Sequence, residues 1–161
     1  VETLADHPQI IGIKEASGDL ERIKDTLAKT GSRDFFVISG DDEKTLKMMD
    51  AGGVGVISVA SNVAPGKVSQ MVHYFLNGNH DAARDLDKKL SPLYDALFPR
   101  DKEGKSNKSP NPVMAHYALE RLDRALERMN LNVGVPRLPL MRGAPEERTA
   151  MYKVLGALNL L

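Results

Sequence analysis

Three short apolar runs in the first half of the chain constrain most strongly what it can fold into. They are IIGIK at 10–14, FFVIS at 35–39 and GVGVISV at 53–59. Each run is almost continuously apolar rather than alternating, which is typical of strands covered on both faces. A helical pattern follows each of them, so strand and helix alternate three times. This alternation predicts an α/β fold with a parallel sheet.

The helical patterns carry ordinary start and stop signals. After the first run, Leu20, Ile23 and Leu27 share one stripe, with charged residues on the other face. After the second run, Asp41 or Asp42 is placed to begin a helix, which glycines end near residue 52. The segment after the third run continues the pattern with an apolar face over 68–75.

From about residue 79 the pattern is helical only. One stripe there has apolar residues at spacings of four, three and four, namely Leu86, Leu90, Leu93 and Leu97. Two more stripes follow, within 110–130 and 144–161, and the polar segment PRDKEGKSNKSP at 99–110 predicts a surface loop. The sequence therefore predicts three βα units over 1–78 and a helical segment over 79–161.

Three βα units are too few for a closed barrel, which needs eight strands. Three parallel strands alone would also leave apolar edges exposed, and such edges favour aggregation. We therefore expect either a small three-stranded domain or a part of something larger.

Composition excludes several classes of partner and site. The 22 basic and 22 acidic residues cancel, so charge gives no argument for binding nucleic acid or an anionic membrane. No apolar run approaches the roughly 20 residues that span a bilayer, and the first nine residues lack the pattern of a secretory signal. The chain has no cysteine, so it has neither disulfides nor thiolate metal sites. A cytoplasmic location is expected.

Candidate functional residues follow the predicted strands, because functional groups gather at the carboxyl ends of parallel strands. They are Lys14, the SGDD turn at 39–42 and Ile57 with Ser58. Two adjacent carboxylates without a histidine cluster make a weak metal site, so helix capping is the favoured role of SGDD. We predict no metal.

Lys14 has two possible roles. An amine at the mouth of a barrel, surrounded by apolar strand residues, is partly desolvated, which disfavours the charged form and frees its lone pair to attack a carbonyl. The product is an imine that accepts electrons during carbon–carbon bond chemistry. The alternative is a surface charge that reaches solvent or pairs with Glu15, and spacing alone favours this second role.

The stretches IIGIKEASGDLERI, FFVISGDD and AGGVGVISVASNVAP, in this order and spacing, resemble the C-terminal half of the dihydrodipicolinate synthase family. This family belongs to the lysine-dependent pyruvate aldolases, together with N-acetylneuraminate lyase. The resemblance covers residues 1–98 and resumes at PNP (110–112), RLPL (137–140) and the last helix. It implies strands six to eight of a TIM (βα)8 barrel, followed by the C-terminal helical segment.

The resemblance also implies a chemistry. Lys14 corresponds to the lysine that forms a Schiff base with pyruvate, Gly40 to a glycine that lines the pyruvate pocket, and Ile57 to a residue whose backbone contributes to it. The enamine then condenses with aspartate semialdehyde in lysine and diaminopimelate biosynthesis. No metal or organic cofactor is implied, and the complete protein is expected to be a homo-oligomer, commonly a tetramer.

The chain lacks the first five strands of the family's barrel, which carry the proton relay and the arginine that binds the second substrate. It also departs from the family pattern at 113–117. We therefore expect the isolated chain to be inactive. Two alternatives remain: a sister aldolase acting on N-acetylneuraminate or a sugar acid, and a non-catalytic half-barrel that assembles with a partner.

Overall fold

A computed structural model describes residues 1–100, 111–126 and 133–161. Most of the predicted loop at 99–110, and the end of the predicted helix near 130, lie outside these ranges. In the part that is described, no helix is both long enough and apolar enough to cross a membrane.

The first two apolar runs form neighbouring parallel strands, as predicted. Strand β1 is Gly12–Glu15 and strand β2 is Phe36–Ser39, and in their register Lys14 pairs with Ile38. The two backbones approach closely, since a β-carbon added at Gly12 would lie 2.5 Å from the carbonyl oxygen of Phe36. Only glycine fits at that position without a shift of the backbone.

The third run is not the regular strand that the sequence predicts. It lies parallel to β2 but forms a single bridge, between Ser39 and Val56. Backbone hydrogen bonds nevertheless continue along it, from Val54 N–H to Val37 O at 3.0 Å and from Ile57 N–H to Ser39 O at 2.7 Å. The pairing ends there, because the chain turns into a short 3₁₀ helix at Ala60–Asn62. The segment still occupies the position of a third strand.

Seven α-helices lie in the described residues, and all but the first lie close to the predicted positions. They are α1 (Glu2–Ala5), α2 (Leu20–Thr30), α3 (Thr45–Asp50), α4 (Pro65–Leu76), α5 (His80–Leu97), α6 (Val113–Leu126) and α7 (Pro145–Ala157). A 3₁₀ turn, Asp42–Lys44, precedes α3 and takes the first turn of the helix predicted after Gly40. The predicted apolar stripe of α5 is confirmed, since Leu90, Leu93 and Leu97 are fully buried.

The chain forms two compact units. Unit 1 contains Val1–Ser58 and Ser69–Asp85, and unit 2 contains Val59–Val68 and Leu86–Leu161. Unit 1 therefore includes β1, β2, the third segment and α2. Its core is a cluster of Ile23, Phe35, Val37 and Met48, with partly buried apolar residues such as Ile13 and Leu27 packed against it. All three candidate site residues lie in unit 1.

Candidate functional site at the carboxyl end of the sheet

The structure places the three candidate residues at the carboxyl ends of adjacent parallel segments. Lys14 is the penultimate residue of β1, Gly40 directly follows β2, and Ile57 directly follows the bridge of the third segment. The ends of β1 and β2 are joined by a hydrogen bond of 2.7 Å from Gly40 N–H to Glu15 O. The fold thus brings together residues that are up to 43 positions apart in the sequence, from Lys14 to Ile57.

Lys14 and Gly40 are in direct contact. A β-carbon added at Gly40 would lie 2.7 Å from Lys14 Cε, 3.0 Å from Lys14 Cγ and 2.6 Å from Ala16 Cβ. The aliphatic stem of Lys14 therefore lies across the space that any other residue at position 40 would occupy. Gly40 leaves room for the lysine, which is a steric role that the sequence did not specify.

The Lys14 side chain is exposed, and no ion pair joins it to another residue within the described ranges. The alternative in which it pairs with Glu15 is wrong, since the Glu15 carboxylate contacts Arg22 and Ser17 instead. The partial desolvation predicted for the amine is also not provided by the described residues. A group covering the end of β1 would have to supply it.

Ile57 meets the candidate site through its backbone. Its N–H donates to the carbonyl of Ser39, one residue before Gly40, and its side chain is half exposed at 50%. The hydrogen bond places the Ile57 backbone beside the end of β2.

The SGDD turn caps the helix that follows, as favoured from the sequence. The Asp41 carboxylate accepts from Glu43 N–H at 3.0 Å, and Ser39 Oγ donates to the Asp41 carbonyl at 2.8 Å. These bonds satisfy backbone groups at the start of the 3₁₀ turn. Across 1–100, 111–126 and 133–161, no three histidine or carboxylate side chains come together as a metal site. The hydrogen bonds of Asp41 and Ser39 show the capping role of the turn directly after Gly40.

Glu15 is the residue that sequence reasoning missed. Only 5% of it is exposed, although its neighbours Lys14 and Ala16 are exposed. Its carboxylate accepts from Ser17 N–H at 2.6 Å and lies 3.4 Å from Arg22 Nε in the first turn of α2. Burial raises the pKa of Glu15, but the hydrogen bonds from Ser17 and the charge of Arg22 lower it more, so the pKa lies below its ordinary 4.5. The signal available in the sequence was a carboxylate at the end of an apolar run.

A cavity in unit 2 is unrelated to these residues. It is lined mainly by α6, the segment 134–136 and the start of α7, with His116, Arg142 and Arg148 among its polar groups. Lys14, Gly40 and Ile57 do not line it, so this cavity is not part of the candidate site at the end of β1.

Comparison with known proteins identifies relatives over nearly the whole chain. The model of the dihydrodipicolinate synthetase family matches residues 1–158. A 4-hydroxy-tetrahydrodipicolinate synthase of Archaeoglobus fulgidus is 40% identical over 161 residues, which is 100% of this chain and 50% of the relative. The enzyme of the same name from Bacillus subtilis is 37% identical, over 98% of this chain and 49% of the relative. The chain thus spans about half the length of the curated relatives it matches.

Solved structures show the same relation. A monomeric dihydrodipicolinate synthase variant matches with a TM-score of 0.85 and 32% identity, over 99% of this chain and 49% of that one. The dihydrodipicolinate synthase of Thermotoga maritima matches with a TM-score of 0.84 and 33% identity, over 99% and 50%. Both matches show that the two βα units and the helices of this chain have the α/β architecture of these enzymes.

Proposed function

The chain belongs to the dihydrodipicolinate synthetase family, and from this premise we propose that it carries the imine-forming lysine of a 4-hydroxy-tetrahydrodipicolinate synthase. The observation that supports this most strongly is the position of Lys14. Its side chain leaves the carboxyl end of a parallel strand and lies across Gly40, at the edge of the sheet where such folds bind their substrates. A sister aldolase would share this lysine, but the names of the matched relatives favour the synthase.

The proposed reaction is a class I condensation that needs no metal or organic cofactor. The Lys14 amine attacks the keto carbon of pyruvate, and loss of water gives an imine. Loss of a proton from the adjacent methyl group gives an enamine, which forms a carbon–carbon bond with the aldehyde carbon of aspartate semialdehyde. The amino group of that substrate then attacks the imine carbon and closes the ring, and expulsion of Lys14 as a free amine gives 4-hydroxy-tetrahydrodipicolinate.

We place the chain at strands six to eight of the barrel and the helical segment that follows, with a domain boundary near residue 78. Half the length of the relatives is unmatched, and apolar side chains are exposed in the sheet region of unit 1. Ile11 is 69% exposed, Phe36 45% and Val54 40%. Covering these residues with the rest of the barrel would bury apolar surface and desolvate Lys14.

The exposed lysine also supports the proposal that the isolated chain does not turn over substrate. In the part of the chain that the structure describes, the Glu15 and Asp41 carboxylates at this edge accept hydrogen bonds from backbone N–H groups. Neither is assigned as a general acid or base, and the loss of such a group costs about 10²–10⁴ in rate. The complete protein is proposed to be a cytoplasmic homo-oligomer. A tetramer is the form implied by resemblance, although one structural relative is described as a monomeric variant.

Reduction with borohydride in the presence of pyruvate tests the proposal. Reductant traps an imine as a stable amine, so intact-mass analysis should show one rapid pyruvate-dependent addition. The matched control is Lys14→Arg, which keeps the charge but cannot form the imine. Equal addition to the two proteins would overturn the proposed role of Lys14.

A further inference from the structure

Glu15 links the end of β1 to two neighbouring segments. Its carboxylate accepts from Ser17 N–H at 2.6 Å and pairs with Arg22 Nε at 3.4 Å, so it holds the chain between β1 and α2. Its backbone carbonyl accepts from Gly40 N–H at 2.7 Å, which joins it to the residue after β2. Glu15 thus links the end of β1 to the start of α2 and to Gly40, the residue after β2.

The position of Glu15 makes these contacts relevant to Lys14. Successive side chains of a strand point to opposite faces. Glu15 is buried while Lys14 is exposed, so the anchoring of one side chain sets the direction of the other. Because Lys14 has no ion pair to a described residue, its stem is positioned by the backbone of β1 and by Gly40.

We propose that the Glu15 carboxylate is a positioning residue for the Lys14 amine, acting through the Ser17 and Arg22 contacts that fix the end of β1. The proposal rests on the proposed function of Lys14. A buried carboxylate is costly unless its oxygens are paired, and here both are. The contacts bring no group to the amine itself, so Glu15 acts on the geometry of the site rather than on a substrate.

The test variant is Glu15→Gln, which keeps an acceptor for Ser17 but removes the charge that pairs with Arg22. Since a displacement of about 1 Å can cost up to roughly 100-fold in rate, we expect pyruvate trapping at Lys14 to slow about 10- to 100-fold relative to trapping at the exposed Lys47 in the same molecules. Arg22→Gln removes the other half of the pair and should slow it in the same direction. Arg22→Gln tests the positioning role if Glu15→Gln does not fold.

Two controls separate positioning from general loss of stability. Ile23→Val trims the buried core beside Arg22 on the same helix and costs about 0.5–1.5 kcal/mol. Asp19→Asn makes the same carboxylate-to-amide change at the cap of α2, where asparagine caps as well as aspartate. Both should keep the Lys14 to Lys47 trapping ratio of the unmodified chain. If either control lowers the ratio as much as Glu15→Gln, or if Glu15→Gln leaves it unchanged, the positioning role is overturned.

A readout without pyruvate distinguishes failure of this inference from failure of the proposed function. Lysines are dimethylated with ¹³C-formaldehyde and borohydride, and the methyl signals of Lys14 are assigned by comparison with Lys14→Arg. Glu15→Gln should shift these signals, and Ile23→Val should not. Absence of trapping in the unmodified chain would show that imine formation needs the groups that cover the end of β1, and it would leave the positioning role to the methyl signals. Unshifted Lys14 signals in Glu15→Gln would count against the positioning role.

Discussion

Gly40→Ala is expected to displace the Lys14 side chain while leaving the protein folded. The new β-carbon would lie 2.7 Å from Lys14 Cε and 2.6 Å from Ala16 Cβ, whereas ordinary contacts begin at 3.4 Å. The Lys14 stem can rotate, but the Ala16 β-carbon is fixed to the backbone. The stem must therefore move away by about 0.7 Å or more at Cε, and the turn after β1 must shift slightly as well.

Two magnitudes follow from this geometry. Overpacking of this kind costs about 1–3 kcal/mol in the free energy of unfolding. A misplacement of about 1 Å in a reacting group can cost up to roughly 100-fold in rate. Trapping of pyruvate at Lys14 should therefore slow about 10- to 100-fold, under conditions in which the variant is still folded.

The assay is borohydride trapping with pyruvate, followed by peptide mass analysis, alongside urea denaturation of the same samples. Gly66→Ala is the matched control, because a β-carbon added at Gly66 has no atom within 4 Å. This control should trap at the rate of the unmodified chain and be of equal or slightly greater stability. If Gly40→Ala traps pyruvate as fast as Gly66→Ala, the steric account of Gly40 is refuted.

Two further predictions concern stability. The pKa of Glu15 is lowered on folding, so its contribution to the free energy of unfolding is present above its unfolded pKa near 4.5 and is lost as pH falls through the folded pKa. Urea denaturation at pH steps from about 6 to 3 should show this loss of stability. Glu15→Gln should make the loss smaller. An unchanged pH dependence in that variant would contradict the assignment. Met48→Ala removes a fully buried core side chain of unit 1 and should cost about 2–5 kcal/mol in the same assay; a cost below about 1 kcal/mol would show that the site collapses around the cavity.

The arrangement of β1, β2 and Gly40 could be predicted from the sequence, because apolar runs followed by helical stripes specify a parallel pair whose carboxyl ends meet. The capping role of Asp41 was also predictable, since a short polar side chain directly before a helix commonly accepts a hydrogen bond from the first free N–H groups of that helix. The third run was predicted as a full strand because it is almost continuously apolar. Such a pattern shows which residues can be buried, but not which backbone groups are paired. Regular pairing needs neighbouring backbone as well, and after Ile57 the chain turns away into the 3₁₀ helix.

Burial at the site could not be predicted from local pattern. Lys14 was expected to be partly desolvated at the mouth of a barrel. Burial there depends on what covers the end of the strand, and the described residues leave the lysine exposed. Glu15 shows the converse. Its carboxylate is paired with the Ser17 amide and with Arg22, which lie two and seven residues further along the chain, and hydrophobic periodicity does not report polar contacts of this kind.

Peptide mapping of the trapped adduct tests the central claim most directly. The chain is reduced with borohydride in the presence of pyruvate, and the modified fraction is measured at Lys14 and at the exposed Lys24 and Lys47. The account predicts that Lys14 is modified at least about 10-fold faster than either of the others, because the proposed substrate site would hold pyruvate next to its amine. Equal modification of the three lysines, or faster modification at another one, would contradict the assignment of Lys14 as the imine-forming residue.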